Sequence, residues 1–240
     1  MLPQSRAGNQ IITKAATWHG FCCTIGMERV SHRKDVFPAT VAYLGTSGFR
    51  PVDVRAELTR KSLHLLIAFT PAIALVGLSL AVFSLAAGIL AYTFMERLRL
   101  SGVRVPVISA LTSLSCRERD VGRFVLGPVT LGCGALLALL LFPLQAASVG
   151  IFALAFGDGF ASLVGRLFGR IRPAFLFGKS VEGSAACFGA TFLSVYLLTR
   201  NHLVALAVAV LATALEALPL EDYDNIVLPL AVGFAVQWIL

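Results

Sequence analysis

The stretch "FGKSVEGSAACF", residues 177–188, places a lysine, a serine and a glutamate between glycines, just ahead of a run of small and apolar residues. Lys179 is a point charge suited to a phosphate oxygen, and Ser180 offers a hydroxyl to phosphate or metal. Gly178 and Gly183 let the backbone approach a bulky anion. A helix starting just after Glu182 turns its free amides and positive dipole end to the same place. Upstream, "IFALAFGDGFASLVGRLFGR", 151–170, carries Asp158 inside an apolar helical pattern. Gly157, Ala161, Gly165 and Gly169 recur every four residues, a smooth stripe that a neighbouring backbone can approach. Asp158, Ser162, Arg166 and Arg170 form the adjacent stripe. Eight residues separate Asp158 from Arg166, about 12 Å of helix, which sets the carboxylate below the surface of a membrane. At that depth a carboxylate costs about 2.5–3.5 kcal/mol.

Two compensations for Asp158 are open: a structural ion pair with an arginine, or a metal site. A hard cation such as Mg²⁺ takes carboxylate oxygens and keeps substrate phosphates and waters as its other ligands. Candidate partners are Glu182, Glu216 and Asp224 with Asn225, the last three from "LEALPLEDYDNIVLPL", 215–230, and Glu96 in "FMERLRL" is a weaker fifth carboxylate. These parts suit a nucleoside triphosphate with Mg²⁺. They do not form a P-loop, because no Gly-x-x-x-x-Gly-Lys-Ser/Thr follows a strand.

The elements that must position these residues are set by composition. The chain is 57% hydrophobic and 14% charged with mean hydropathy +0.82, against about 25% charged for an ordinary soluble domain. It reads as an integral membrane protein of all-α class. No Asp, Glu, Lys or Arg occurs in 62–95, 124–157, 183–199, 201–215 or 225–240. A span needs about 20 apolar residues and no fewer than about 17. The first run is therefore read as a tight pair, 63–78 and 79–96, and the second as 124–142 and 148–168, divided at Pro143–Ala147. Three more follow at 184–199, 203–218 and 225–240. The expectation is a polytopic domain over 57–240 with about seven transmembrane helices, preceded by a poorly specified tail, 1–56.

The charges support this count. With a cytoplasmic N-terminus, Arg200 alone of the 20 Lys and Arg falls on the outer side, and the 13 acidic residues lie at or near the inner face. That asymmetry follows the positive-inside rule and collects the polar chemistry at the cytoplasmic face. The segment 97–123 holds six arginines against Glu118 and Asp120, a net +4, and is expected to lie along anionic headgroups. The formal charge of +7 thus points to membrane lipids as partners and not to nucleic acid. The stretch 11–27, with Lys14, His19 and several small polar residues, does not read as the compact apolar core of a signal peptide. "VFPATVAYLGTSGF", 36–49, with Pro38 and two glycines, reads as an interfacial segment. Five cysteines without Cys-x-x-Cys spacing read as free thiols, and adjacent Cys22 and Cys23 as incidental ones.

Taken together, "GDGFASLVGRLFGR", "GKSVEGS" and the terminal "DNIVLP" resemble the three signatures of the polyprenol kinase family, which includes dolichol kinase, phytol kinase and the yeast-type diacylglycerol kinase. "ELTRKSLHL", 57–65, resembles the family's Arg-Lys-x-x-His opening, and "MERLRLSG" and "CRERDVG" resemble weaker internal stretches. The resemblance covers about 57–240. It implies transfer of the terminal phosphoryl group of CTP to a lipid hydroxyl with a divalent metal. The matched polar positions are Asp158, Lys179, Ser180, Glu182, Asp224 and Asn225, and the matched glycines Gly157, Gly165 and Gly183. On this reading Asp158, Lys179, Glu182 and Asp224 are the catalytic set, with Glu182 as second metal ligand or base. Asp158, Glu182, Asp224 and Glu216 are the metal candidates. Ser162, Arg60, Lys61 and His64 join the matched residues around nucleotide phosphates or lipid headgroups. Gly159 stands where eukaryotic dolichol kinases tend to have Thr, a departure that points away from dolichol.

The expected home is the plasma membrane of a bacterium or an endomembrane, with the site facing the cytoplasm. Two other classes are weighed. A transporter would place its charges at the midplane within paired repeats, whereas these lie towards one face. A phosphatidate cytidylyltransferase has a similar Asp-bearing helix and Lys-x-x-Glu-Gly pattern, but "GKSVEGS" lacks the Ser-Pro-Lys-Lys-Thr run expected there. Nothing in the apolar helices selects phytol, polyprenol or diacylglycerol, because burial of a long chain is non-directional. The oligomeric state is equally unmarked.

Overall fold

The computed structural model describes residues 51–103, 123–220 and 222–239, with side chains from Glu57 onward. The interfacial segment at 36–49, Cys22 and Cys23, most of the basic stretch before Arg123, and Glu221 lie outside the described residues. The elements are α1 (Pro51–Ile67), α2 (Thr70–Val76), α3 (Leu78–Leu100), α4 (Gly127–Leu141), α5 (Leu144–Phe152), a π-helical turn (Ala153–Asp158), α6 (Gly159–Leu167), α7 (Val181–Thr199), α8 (His202–Ala217) and α9 (Asp224–Gln237). No strand occurs among the described residues.

Three helical stretches are long and apolar enough to cross a membrane: Leu78–Leu100, Leu144–Leu167 and Val181–Thr199. The second is the central one, 67% buried over its apolar window against 11% and 22% for the other two. It joins α5, the π turn and α6 into a single rod. The expected helix over 63–78 is instead divided between the end of α1 and the short α2. The break at Ala68–Phe69 precedes Pro71, which cannot donate to a preceding turn and sits in the first turn of α2. The division expected within 143–147 falls one residue earlier, at Phe142–Pro143, where the backbone is extended. The apolar helices α4 and α9 have 15 and 14 residues, shorter than the spans read from the sequence, whereas α8, with 16, keeps the expected length one residue earlier.

Packing rests on small residues along the central rod. The main core gathers Leu131 of α4, Val149 of α5, Leu154 of the π turn, Val195 of α7, Val208 of α8 and Val232 of α9. Gly150 lies against the backbone of Pro229, and Gly134 against that of Asn225, so α9 sits nearly backbone to backbone with α4 and α5. The Gly157, Ala161, Gly165, Gly169 stripe faces α7: Gly157 meets Cys187 and Thr191, Gly165 meets Gly183, and Gly169 meets Ser180. The lipid-ward surface carries exposed Phe83, Leu90, Phe94, Leu193, Leu197, Val210 and Phe234.

A Cβ added at Gly150 would stand 2.5 Å from the Pro229 carbonyl oxygen, whereas one at Gly88 of α3 would meet nothing within 4 Å. Gly150→Ala is therefore expected to destabilise the detergent-solubilised protein by about 1–3 kcal/mol. Gly88→Ala is expected to be neutral or slightly stabilising through helix propensity. Thermal unfolding followed by circular dichroism checks both.

Candidate active site

The polar residues converge on one cleft of about 300 Å³ between the middle of α1, the second half of the central rod, the start of α7, the end of α8 and the start of α9. From α1 come Glu57, Arg60 and Lys61, with His64 one turn further along; positions 57, 60, 61 and 64 share one helical face. The central rod contributes Asp158, Ser162, Gly165 and Arg166. The loop before α7 and its first turn bring Arg172, Gly178, Lys179, Ser180, Gly183 and Ser184. Glu216, Leu218 and Pro219 come from the end of α8, and Asp224 opens α9.

Asp158 is the last residue of the π turn. Such a turn carries one residue more than an α-helical one and re-aims the residues beyond it, and it recurs at functional sites. Here it sets Asp158 against α1. Its Oδ2 takes the ammonium of Lys61, while His64 Nδ1 lies 3.1 Å from the same oxygen. Oδ1 has Ser162 Oγ at 3.5 Å, a long contact that leaves this oxygen for a ligand. Lys61 and Asp158 are 2% and 4% exposed. The compensation of the buried carboxylate is thus a lysine from another helix, not an arginine of its own.

Lys179 reaches across to α8, where its ammonium contacts Glu216 Oε1 at 2.8 Å and donates to the Glu216 carbonyl. Glu216 Oε2 is buried without a hydrogen-bond partner. Ser180 caps α7, its Oγ accepting from Gly183 N at 3.1 Å, so this hydroxyl is committed to the helix start while lining the cleft. Phe177 and Gly178 both take left-handed backbone, φ 49° and 87°, a strained turn that presents Lys179. Arg172 fastens the same loop, donating from Nη1 to Gly178 O at 2.6 Å and from Nη2 to Gly165 O at 2.9 Å. Asp224 lies within electrostatic reach of Asp158, Lys61 and Lys179.

Several expected residues are not brought to the cleft. Glu182 turns back to the loop, where Oε1 accepts from Arg170 N at 3.0 Å and Ile171 N at 3.2 Å, and it does not line the cleft. Asn225 donates from Nδ2 to Thr130 Oγ1 at 3.0 Å and ties α9 to α4. Gly157 serves the contact with α7, and His64 stands behind Asp158. Glu96 is fully buried, held by Arg99 at 2.7 and 2.8 Å, and accepts from Val125 N, fixing α3 to the start of α4. Conversely, Glu57, Arg166, Arg172 and Ser184 line the cleft and are not among the candidate site residues read from the sequence. The stripe shared with Arg60, Lys61 and His64 marks Glu57, and the stripe shared with Asp158 and Ser162 marks Arg166; Arg172 carries no periodic signal.

Among the described residues no group of three His, Cys, Asp or Glu side chains is gathered closely enough to cage a metal by itself. Among the described residues, Asp158 Oδ1, Glu216 Oε2 and the Asp224 carboxylate, whose Oδ1 accepts from Asn225 N at 2.7 Å, have no ion pair around this cleft. That donor set fits a cation which takes one or two carboxylates and completes its shell with phosphate and water, the habit of Mg²⁺.

No protein-family model matches the chain, and no solved structure is similar to it. Curated relatives are. An uncharacterised protein of Methanocaldococcus jannaschii is 30% identical over 189 residues, 75% of this chain and 93% of the relative. A protein of Synechocystis named phytol kinase is 33% identical over 191 residues, 73% of this chain and 76% of the relative. A probable phytol kinase 1, chloroplastic, of Oryza sativa subsp. japonica is 33% identical over 162 residues, 58% of this chain and half of the relative. With that identity sustained over three quarters of the Synechocystis protein, the chain belongs to the polyprenol/phytol kinase family.

Proposed function

We propose that this protein is a CTP-dependent, Mg²⁺-assisted kinase that transfers the γ-phosphoryl group to the hydroxyl of a membrane lipid alcohol, of the phytol, polyprenol/dolichol or diacylglycerol kind. The observation that carries the reading is a single cleft, between apolar helices, in which Lys61, Lys179, Asp158, Glu216 and Asp224 meet. The names of the relatives support a lipid alcohol as acceptor. The lipid hydroxyl oxygen bonds to the γ-phosphorus, the bond from that phosphorus to the bridging oxygen breaks, and CDP leaves with the electron pair. The hydroxyl proton passes to a cleft carboxylate. Phosphoryl transfer asks mainly for positioning and charge neutralisation. Lys179 holds phosphate oxygens, and Arg172 keeps the loop that presents it. Asp158, Asp224 and Glu216 would hold Mg²⁺, which supplies neutralisation of the charge on the transferred group. A long-chain alcohol reaches the cleft from the bilayer, while the nucleotide comes from water.

In the membrane, seven crossings are proposed, with the cleft on the cytoplasmic face of a bacterial plasma membrane or an endomembrane. The 14–16-residue helices α4, α8 and α9 span about 21–24 Å, so flanking extended residues complete a hydrocarbon layer of about 30 Å. Phe175, 73% exposed before α7, and His202 at the start of α8 then lie on opposite sides. Phe175→Cys and His202→Cys, each in a chain without other cysteines, are expected to react with an impermeant maleimide from opposite faces of sealed vesicles. Labelling of both from one face contradicts the topology.

Asp158→Asn and Lys179→Ala are each expected to lower turnover at least about a hundredfold. Asp158→Asn also leaves Lys61 buried without its partner, at a stability cost of about 3–5 kcal/mol. The double variant Lys61→Met/Asp158→Asn should regain thermal stability but no activity. If activity returns with stability, Asp158 is a structural ion-pair residue. The bond that breaks identifies the reaction. γ-Labelled CTP is expected to label a lipid alcohol, and α-labelled CTP to leave it unlabelled. Label from the α position with release of pyrophosphate identifies a cytidylyltransferase, and transfer from neither position across a panel of alcohols favours transport.

A further inference from the structure

The cations lining the cleft are not equally committed. Lys61 is matched by Asp158 and Lys179 by Glu216. Arg172 spends both terminal nitrogens on backbone carbonyls. Arg60 and Arg166, from α1 and α6, share a single carboxylate: Glu57 takes Arg60 Nη2 on Oε1 and Arg166 Nε on Oε2 at 3.1 Å. Glu57 is 4% exposed, whereas the Arg166 side chain is 43% exposed. Arg166 binds Glu57 through Nε, so among the described residues both of its terminal nitrogens are left without an acceptor. Arg60 Nε is buried with no hydrogen-bond partner. Two guanidinium groups are thus anchored from behind by one carboxylate, with unfilled donors beside the cleft.

We infer that Arg60 and Arg166, bridged by Glu57, form a clamp for the phosphate chain of the ligand, distinct from the Lys179 contact. The inference rests on reading the cleft as a polyphosphate site. A guanidinium meets two phosphate oxygens through parallel hydrogen bonds, a geometry that an ammonium cannot reproduce. Glu57 acts as a positioning residue. It spans α1 and α6 and restrains two long side chains that would otherwise have to be ordered by the ligand. The clamp carries one positive charge in excess, which suits an anion with several negative oxygens.

Binding of inorganic tripolyphosphate to the purified full chain, measured by titration calorimetry in detergent, tests this without lipid or catalysis. Arg166→Gln is expected to weaken binding about tenfold, and Arg166→Lys to restore little of it. Arg170→Gln, which removes the same charge from a residue that does not line the cleft, is expected to leave binding unchanged. Glu57→Gln separates positioning from charge. Simple electrostatics predicts tighter anion binding once a negative charge is gone, whereas a clamp predicts weaker binding. Tripolyphosphate binding that is unaffected in Arg166→Gln, or tightened in Glu57→Gln, overturns the inference. In turnover assays Arg166→Gln is expected to raise KM for CTP about tenfold with KM for the lipid alcohol unchanged. Loss of tripolyphosphate binding in Arg166→Gln without any phosphoryl transfer by the parent protein leaves the clamp standing and removes the kinase reading. Transfer with an unchanged KM for CTP in Arg166→Gln removes the clamp and leaves the kinase.

Discussion

The contact between Lys61 and Asp158 governs the rest of the architecture. Both groups are buried, and each alone would be expensive in an apolar surrounding, so α1 and the central rod must meet at one depth and one rotation. That requirement accounts for the π turn that ends at Asp158, and it places His64 beside the same carboxylate oxygen. It also leaves Asp158 Oδ1 largely uncommitted, so a structural bond and a ligand-ready oxygen coexist on one side chain.

The cleft around this pair is shaped by the absence of side chains as much as by their presence. Gly165 and Gly183 bring α6 and α7 close enough that the Ser180 cap and the Lys179 loop overlie the same end of the rod. Arg172 and Glu182 work on the loop from opposite directions, the first donating to carbonyls at Gly165 and Gly178, the second accepting from amides at Arg170 and Ile171. Between them the two side chains satisfy three backbone groups of the loop, Arg170 N, Ile171 N and Gly178 O, without a ligand. The strain at Phe177 is then held by surrounding bonds and not by the ligand, a form of pre-organisation.

The polar groups divide into those that hold the protein together and those left over. Glu96 with Arg99, Asn225 with Thr130, and Glu182 with its loop belong to the first kind. The uncommitted oxygens of Asp158, Glu216 and Asp224 and the uncommitted nitrogens of Arg60 and Arg166 belong to the second, and they collect at one cleft. Opposite charges left unmatched on neighbouring walls suit a ligand that joins a cation to a polyphosphate.

Much of this could be read from residue order alone. Apolar runs mark the helices, the four-residue glycine spacing marks the face that packs on α7, and a carboxylate inside an apolar helical pattern marks Asp158 as a candidate site residue. These are local properties, set by side-chain transfer energies and a helical repeat that each segment carries with it. The partner of Asp158 was not readable, because a lysine 97 positions away is chosen by the rotation and depth of two separate helices. A single π turn changes that rotation by about 100° without leaving a mark in composition. For the same reason Glu182 and Asn225 looked like site residues by type and neighbourhood, yet packing turned them to a loop and to Thr130, while it drew Glu57 and Arg166 onto one another across the cleft.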